Sequence, residues 1–163
     1  MHASMTLLHT LRASEDEVAR LKISPDERLL AACDDKMITL WDITTGSLRS
    51  TLDGEDDMFF EIAFSPDSQW IAAASDDGHG RIWSTATGEL VQMVSVEDER
   101  MLSLAFSPDS KSIATGSEVM RVWDVETGEL QHILTDPAEF KSTFEAATGG
   151  QQLVAHEIPV MMG

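Results

Sequence analysis

Apolar residues in this chain come in short runs, cut by turn-forming residues about every ten positions. The first set occupies 18–23, 29–33, 38–41 and 48–52. A second occupies 59–64, 70–75, 81–83 and 90–94, and a third 101–106, 112–116, 119–123 and 130–134. The runs are rich in β-branched and aromatic residues, and their spacing predicts consecutive antiparallel hairpins. No segment carries a sustained helical stripe with caps. Between the first and second runs of each set stands one phrase, Ser24-Pro25-Asp26, then Ser65-Pro66-Asp67, then Ser107-Pro108-Asp109. Its proline presets φ for a turn and its aspartate can bond the backbone beyond.

The sets repeat with a period of about 41 residues. Trp41, Trp83 and Trp123 keep the same phase, as do Thr45-Gly46, Thr87-Gly88 and Thr127-Gly128. A unit of this size cannot bury its own core, so a fixed period of this length predicts stacked repeats. Four strands per unit describe one blade of a β-propeller. The expected organisation is one repeat domain over 1–163. It comprises the outer strand of an incomplete blade at 1–11, repeats at 12–52, 53–94 and 95–134, and a degenerate partial repeat at 135–163. Residues 6–11 match 47–52, the fourth strand of a unit.

The phrases Phe64-Ser65-Pro66-Asp67, Ser75-Asp76-Asp77, Ile38-Thr39-Leu40-Trp41-Asp42 and Val122-Trp123-Asp124-Val125-Glu126-Thr127-Gly128 closely resemble WD40 repeats. The resemblance covers about residues 5–134. It implies a closed propeller, usually of seven blades, whose surfaces bind proteins. It also implies that 6–11 can complete the last blade. About four blades are countable here, so the chain reads as part of a longer propeller, as one of two arcs closing a ring, or as a four-bladed ring. WD40 repeats usually bury a network of histidine, serine or threonine, aspartate and tryptophan. Here the histidine positions read as Ser14, Glu55 and Glu97, and the hydroxyl positions as Ala31, Ala73 and Thr115. The aspartate persists as Asp35 and Asp77, while the third repeat offers only Ser117 and Glu118. Asp35 and Asp77 are then expected to find backbone donors or water, with unfolding of the chain below about 90 °C. Trp41, Trp83 and Trp123 are expected to pack between blades.

The chain has 163 residues, 42% of them hydrophobic, with a formal charge of −18. That charge repels phosphate backbones and anionic membranes and leaves basic protein partners compatible. Cys33 is the single cysteine, which fits a reducing compartment. With no long apolar run, the reading is an intracellular, cytoplasmic chain.

The charge is itself periodic. Glu15-Asp16-Glu17, Glu55-Asp56-Asp57 and Glu97-Asp98-Glu99 precede the first strands. Hairpin geometry puts them at the same end as Asp34-Asp35, Asp76-Asp77 and Glu118, about fourteen carboxylates on one rim. Such a rim keeps sheet edges soluble or docks a lysine- or arginine-rich partner. If it docks one, Glu55, Asp56, Asp57, Asp76, Glu97, Asp98 and Glu99 form its centre. The triplets lack the order of a calcium loop, so no metal or other cofactor is expected. His79, between two glycines, reads as an exposed turn residue. No nucleophile elbow, phosphate loop or HExxH helix occurs, and Cys33 is expected to be buried. The fold class is therefore all-β, a partial WD40-like propeller acting as a non-catalytic protein-interaction scaffold. The alternative is an assembly module that completes a larger propeller, by self-association or within a multidomain signalling protein.

Overall fold

A computed structural model describes residues 5–13, 15, 17–55 and 57–134. The expected partial repeat at 135–163 lies outside them, as do Ser14, Asp16 and Asp56. The fold is all-β, three four-stranded antiparallel sheets in simple meander order. Blade 1 holds β1 (Arg20–Ile23), β2 (Leu29–Cys33), β3 (Met37–Asp42) and β4 (Leu48–Asp53). Blade 2 holds β5 (Phe59–Phe64), β6 (Trp70–Ser75), β7 (His79–Ser84) and β8 (Leu90–Ser95). Blade 3 holds β9 (Ser103–Phe106), β10 (Ser112–Gly116), β11 (Met120–Asp124) and β12 (Leu130–Leu134).

The inner strands β1, β5 and β9 are neighbours, and β4, β8 and β12 form the perimeter. The ladders start two residues later than the apolar runs at β1 and β9, and one to two residues earlier at β3 and β7. Residues 6–11, expected as an outer strand, belong to no sheet among the described residues.

Each recurring turn has a local cause. The Ser24 hydroxyl donates to Asp26 Oδ1 at 2.6 Å and accepts the Leu29 N–H at 2.9 Å. Ser65 and Ser107 do the same with Asp67 and Asp109. The Thr-Gly turns put Gly88 at φ 75°, where a Cβ would also lie 2.6 Å from Ser50 Oγ of the blade before. A side chain there would meet both backbone strain and a clash. A register shift falls immediately before each of Trp41, Trp83 and Trp123. Such bulges turn a strand and re-aim its next side chain, here the indole.

The middle strands of blades 2 and 3 are buried on both faces, so packing between blades makes the core. Ala31, Ile38, Leu40 and Leu52 of blade 1 meet Phe59, Ile62, Ile71 and Trp83 of blade 2. Ala72, Ile82 and Val94 of blade 2 then meet Met101, Leu104, Ile113 and Trp123 of blade 3. Phe59 and Trp83 stack edge to face, with centroids 6.0 Å apart.

Polar bonds tie the same interfaces below. The Asp26 N–H donates to Ser68 Oγ at 3.0 Å, and the Asp67 N–H to Ser110 Oγ at 3.1 Å. Ser110 is 6% exposed. Ser110→Ala would leave that donor without an acceptor, at a cost of about 1–3 kcal/mol. Chemical denaturation is expected to show this loss, with a smaller change for the exposed Ser47→Ala.

Candidate functional site

The loops that hand one blade to the next and the turns between second and third strands meet at one end of the array. Their backbones are stitched together. Phe59 N–H donates to the Asp35 carbonyl at 2.7 Å, Gly54 N–H to Lys36 at 3.1 Å, and Asp76 N–H to Met58 at 2.9 Å. The same occurs one blade on, where Met101 N–H donates to Ser75 at 3.1 Å and Val96 N–H to Gly78 at 2.9 Å. This rim therefore has a fixed backbone beneath its charged side chains.

The rim is less uniformly acidic than the sequence pattern indicates, because two arginines rise into it from the third strands. Arg81 is 3% exposed and grips Asp77 with two bonds, Nη2 to Oδ2 at 2.7 Å and Nη1 to Oδ1 at 3.3 Å. The Ser75 hydroxyl and the His79 N–H also donate to Asp77. His79 is half-buried, with Nδ1 2.8 Å from Asp77 Oδ2, rather than an exposed turn residue. Burial alone would raise the Asp77 carboxyl, but these bonds outweigh it and hold it well below the ordinary carboxylate range. Asp77 thus finds an expected backbone donor in the His79 N–H and, beyond that expectation, a buried guanidinium and a hydroxyl.

Blade 3 builds the same triad from a different carboxylate. Its shorter turn has no counterpart of Asp77, and Glu99 from the preceding loop reaches across instead. Arg121 donates to Glu99 Oε1 at 3.1 Å and Oε2 at 3.3 Å, and the Ser117 hydroxyl donates to Glu99 Oε2 as that of Ser75 does to Asp77. Hydrogen bonds from Arg121 and then Ser117 lower the Glu99 carboxyl. One member of the third acidic triplet is therefore tied down.

The other candidates lie around these pairs. Glu55 has its side chain 83% exposed and stands 3.7 Å from Arg81. Asp57 is half-buried, and its carboxyl is raised by loss of solvent and then by the neighbouring Asp77. Asp76 faces Arg100 at 3.6 Å, and Glu97 and Asp98 are exposed. Asp56 lies outside the described residues. The Asp35 carboxylate is exposed, and Asp34 closes its turn by accepting the Lys36 and Met37 N–H groups. Among the described residues no group of three or more His, Cys, Asp or Glu is arranged to hold a metal ion.

Register corrects one sequence assignment. Thr39 pairs with Ala32, as Arg121 pairs with Thr115, so the blade 1 counterpart of Thr115 is Ala32 and not Ala31. One residue fewer separates the paired strands in blade 1 than in blade 2, which shifts the alignment. Trp123 Nε1 donates to Thr115 at 2.9 Å, and Trp41 Nε1 donates to Thr39 at 2.9 Å. The hydroxyl absent at Ala32 is replaced from the facing strand. Thr39, Arg81 and Arg121 all stand two residues before a repeat tryptophan, a sequence signal that would have found them.

Arg81→Met would strand Asp77 in a half-buried site, at a cost of about 2–3 kcal/mol, below a fully buried pair because Asp77 retains some solvent. Adding Asp77→Asn is expected to recover part of that loss in urea titrations. Asp77 and Glu99 have lowered folded values. Their stabilisation is complete above the ordinary values, 3.8 and 4.5, and is lost as pH falls through the folded values. Asp57 runs the other way, its contribution present below 3.8 and lost as pH rises through the raised value. Asp57→Asn is thus expected to raise the urea midpoint at about pH 7 and to leave it unchanged at about pH 3.

Comparison with known sequences agrees with this architecture. The family described as "WD domain, G-beta repeat" matches residues 5–42, 46–84 and 88–124. One similar protein is "Target of rapamycin complex subunit wat1" of Schizosaccharomyces pombe, 37% identical over 65 residues. That stretch is 39% of this chain and 21% of the relative, so the chain spans only a small part of that protein. With three phased matches and three sheets of the corresponding form, the chain belongs to the WD40 repeat family.

Proposed function

We propose that this chain is a non-catalytic interaction platform whose rim docks lysine- or arginine-rich segments of other proteins. One observation carries the reading: the two arginines that rise into the rim from the third strands are already committed, and more carboxylates stay exposed there than those arginines hold. Arg81 is held by Asp77 and Arg121 by Glu99. Glu55, Asp76, Glu97 and Asp98 remain exposed on the same end. A rigid, net-negative surface steers basic partners and orients them, with about 0–1 kcal/mol from each exposed pair.

A scaffold role agrees with the family and with a relative named as a subunit of a complex. The non-catalytic part of the reading rests on chemistry as well. Cys33 is buried and its thiol is pushed up to about 11 by burial, so it is a poor nucleophile.

The test is titration calorimetry with a lysine- and arginine-rich peptide at low and high salt. Affinity is expected to fall several-fold as salt rises, since exposed charges are screened. The triple variant Glu55→Gln, Glu97→Gln, Asp98→Asn is expected to bind about 10-fold more weakly. Salt-independent binding, or a triple variant that binds like the parent, would sink the proposal.

A further inference from the structure

The Ser-Pro-Asp and Thr-Gly turns lie at the end of the array away from the acidic rim. Between blades 2 and 3 they enclose a groove of about 550 Å³. Blade 2 lines it with Asp67, Trp70 and Val91, and blade 3 with Asp109, Lys111, Asp124, Val125 and Glu126. Because the blades repeat, the boundary between blades 1 and 2 shows what the same positions hold when they serve the fold alone.

The floor departs first. The bulge before each repeat tryptophan leaves one perimeter residue unpaired: Arg49 in blade 1, Val91 in blade 2 and Gln131 in blade 3. A bulge re-aims the extra side chain. Arg49 turns to Asp42 Oδ2 at 3.7 Å, and Gln131 to Asp124 Oδ2 at 3.5 Å. Each aspartate follows the tryptophan of its own blade. Val91 makes no such bond and is 45% exposed. Beside it the half-buried Trp70 stands where blade 1 has Leu29, as the pairing of each with the residue after the tryptophan shows.

The walls depart in charge. Asp124 and Glu126 occupy the places of Ser84 and Ala86, one and three residues after the tryptophan. Four carboxylates, Asp67, Asp109, Asp124 and Glu126, therefore face one lysine. At the other boundary two, Asp26 and Asp67, share the surface with Arg49. The turn bonds of Asp67 and Asp109 all fall on Oδ1, so each keeps Oδ2 for a ligand.

An apolar floor between acidic walls fits a side chain that is apolar along its stem and cationic at its tip. The molecule already shows which cation, because Asp42, the counterpart of Asp124, is met by a guanidinium. Asp124 has only the neutral amide of Gln131. A planar guanidinium also lies flat on an indole and bonds two carboxylate oxygens at once, which an ammonium cannot do. A second copy is a poor occupant, since each chain carries a formal charge of −18 and copies repel.

We infer that this groove binds an arginine side chain of a partner protein, its stem on Trp70 and Val91 and its guanidinium on Asp124, Glu126 and Asp109. The site lies at the opposite end from the acidic rim and does not depend on it.

The probe is the acetylated and amidated pentapeptide Gly-Ala-Arg-Ala-Gly, titrated into the isotope-labelled full chain, beside versions with lysine or citrulline at the centre. Shifts are expected at the Trp70 indole and at the amides of Val91 and Glu126. The arginine peptide is expected to bind about 3-fold more tightly than the lysine peptide and about 10-fold more tightly than the citrulline one. Asp124→Asn with Glu126→Gln is expected to weaken it about 10-fold. Asp124 also closes its own turn by accepting the Thr127 N–H, so a second variant leaves that turn intact. Val91→Arg places the chain's own guanidinium in the groove and is expected to abolish binding without lowering Tm. Equal binding of the arginine peptide and either of the others overturns the inference, as do shifts confined to the acidic rim or a Val91→Arg variant that binds like the parent. So does a mass of twice 17.9 kDa that Val91→Arg returns to one, which would assign the groove to a second copy. The rim variant Glu55→Gln, Glu97→Gln, Asp98→Asn is expected to bind this peptide like the parent, so the two proposals fail independently.

Discussion

Every blade of this protein depends on a neighbour to cover its apolar faces. A four-stranded sheet whose middle strands read Leu-Leu-Ala-Ala-Cys or Trp-Ile-Ala-Ala-Ala-Ser has no polar face to give to water. Its burial has to come from sheets stacked on either side. Small residues on the second strands let the next blade approach closely, and large ones on the first strands fill the space between. Ala31 and Cys33 lie with Phe59 and Ile62 in one cluster, and Ala72 and Ala74 with Met101 and Leu104 in the next. The same constraint makes the open face of blade 1 conspicuous, since Val18 and Leu21 are 43% and 60% exposed there and their counterparts Phe59 and Ile62 are buried.

Around that core the polar design is a series of substitutions that preserve geometry while changing chemistry. A tryptophan N–H meets a hydroxyl in blades 1 and 3, but the hydroxyl comes from opposite strands of the hairpin. An arginine meets a carboxylate and a serine in blades 2 and 3, but the carboxylate comes from the turn in one and from the loop before the blade in the other. Burying a guanidinium requires a partner charge, and either element can deliver it to the same point. These pairs also decide what the rim displays, because a carboxylate held by the buried Arg81 or the half-buried Arg121 acts less on solvent. Asp77 and Glu99 are spent in this way, and Glu55, Glu97 and Asp98 are not.

Much of this architecture is legible in the chain itself. The Ser-Pro-Asp and Thr-Gly phrases and the phased tryptophans place all twelve strands to within two residues, because turn chemistry is local and acts through neighbours in sequence. The convergence of the acidic loops on one end follows from the alternation of strand direction. The arginines at 81 and 121 were visible at a constant distance from the tryptophans. Their role was not, since a charged residue in a strand reads as solvent-facing until its neighbours are known.

The sequence by itself determined the repeat, the strand order and the end of the array on which the carboxylates gather, since each follows from periodicity and short-range turn geometry. Only the tertiary structure decided which carboxylates are free. It also decided which strand supplies each tryptophan's hydroxyl, and which of the equivalent faces stands open. Those contacts run from Thr39 and Trp41, two residues apart, to Glu99 and Arg121, 22 apart, and all depend on strand register and on packing between blades, where a one-residue change in a turn moves the partner and no local pattern records such a shift.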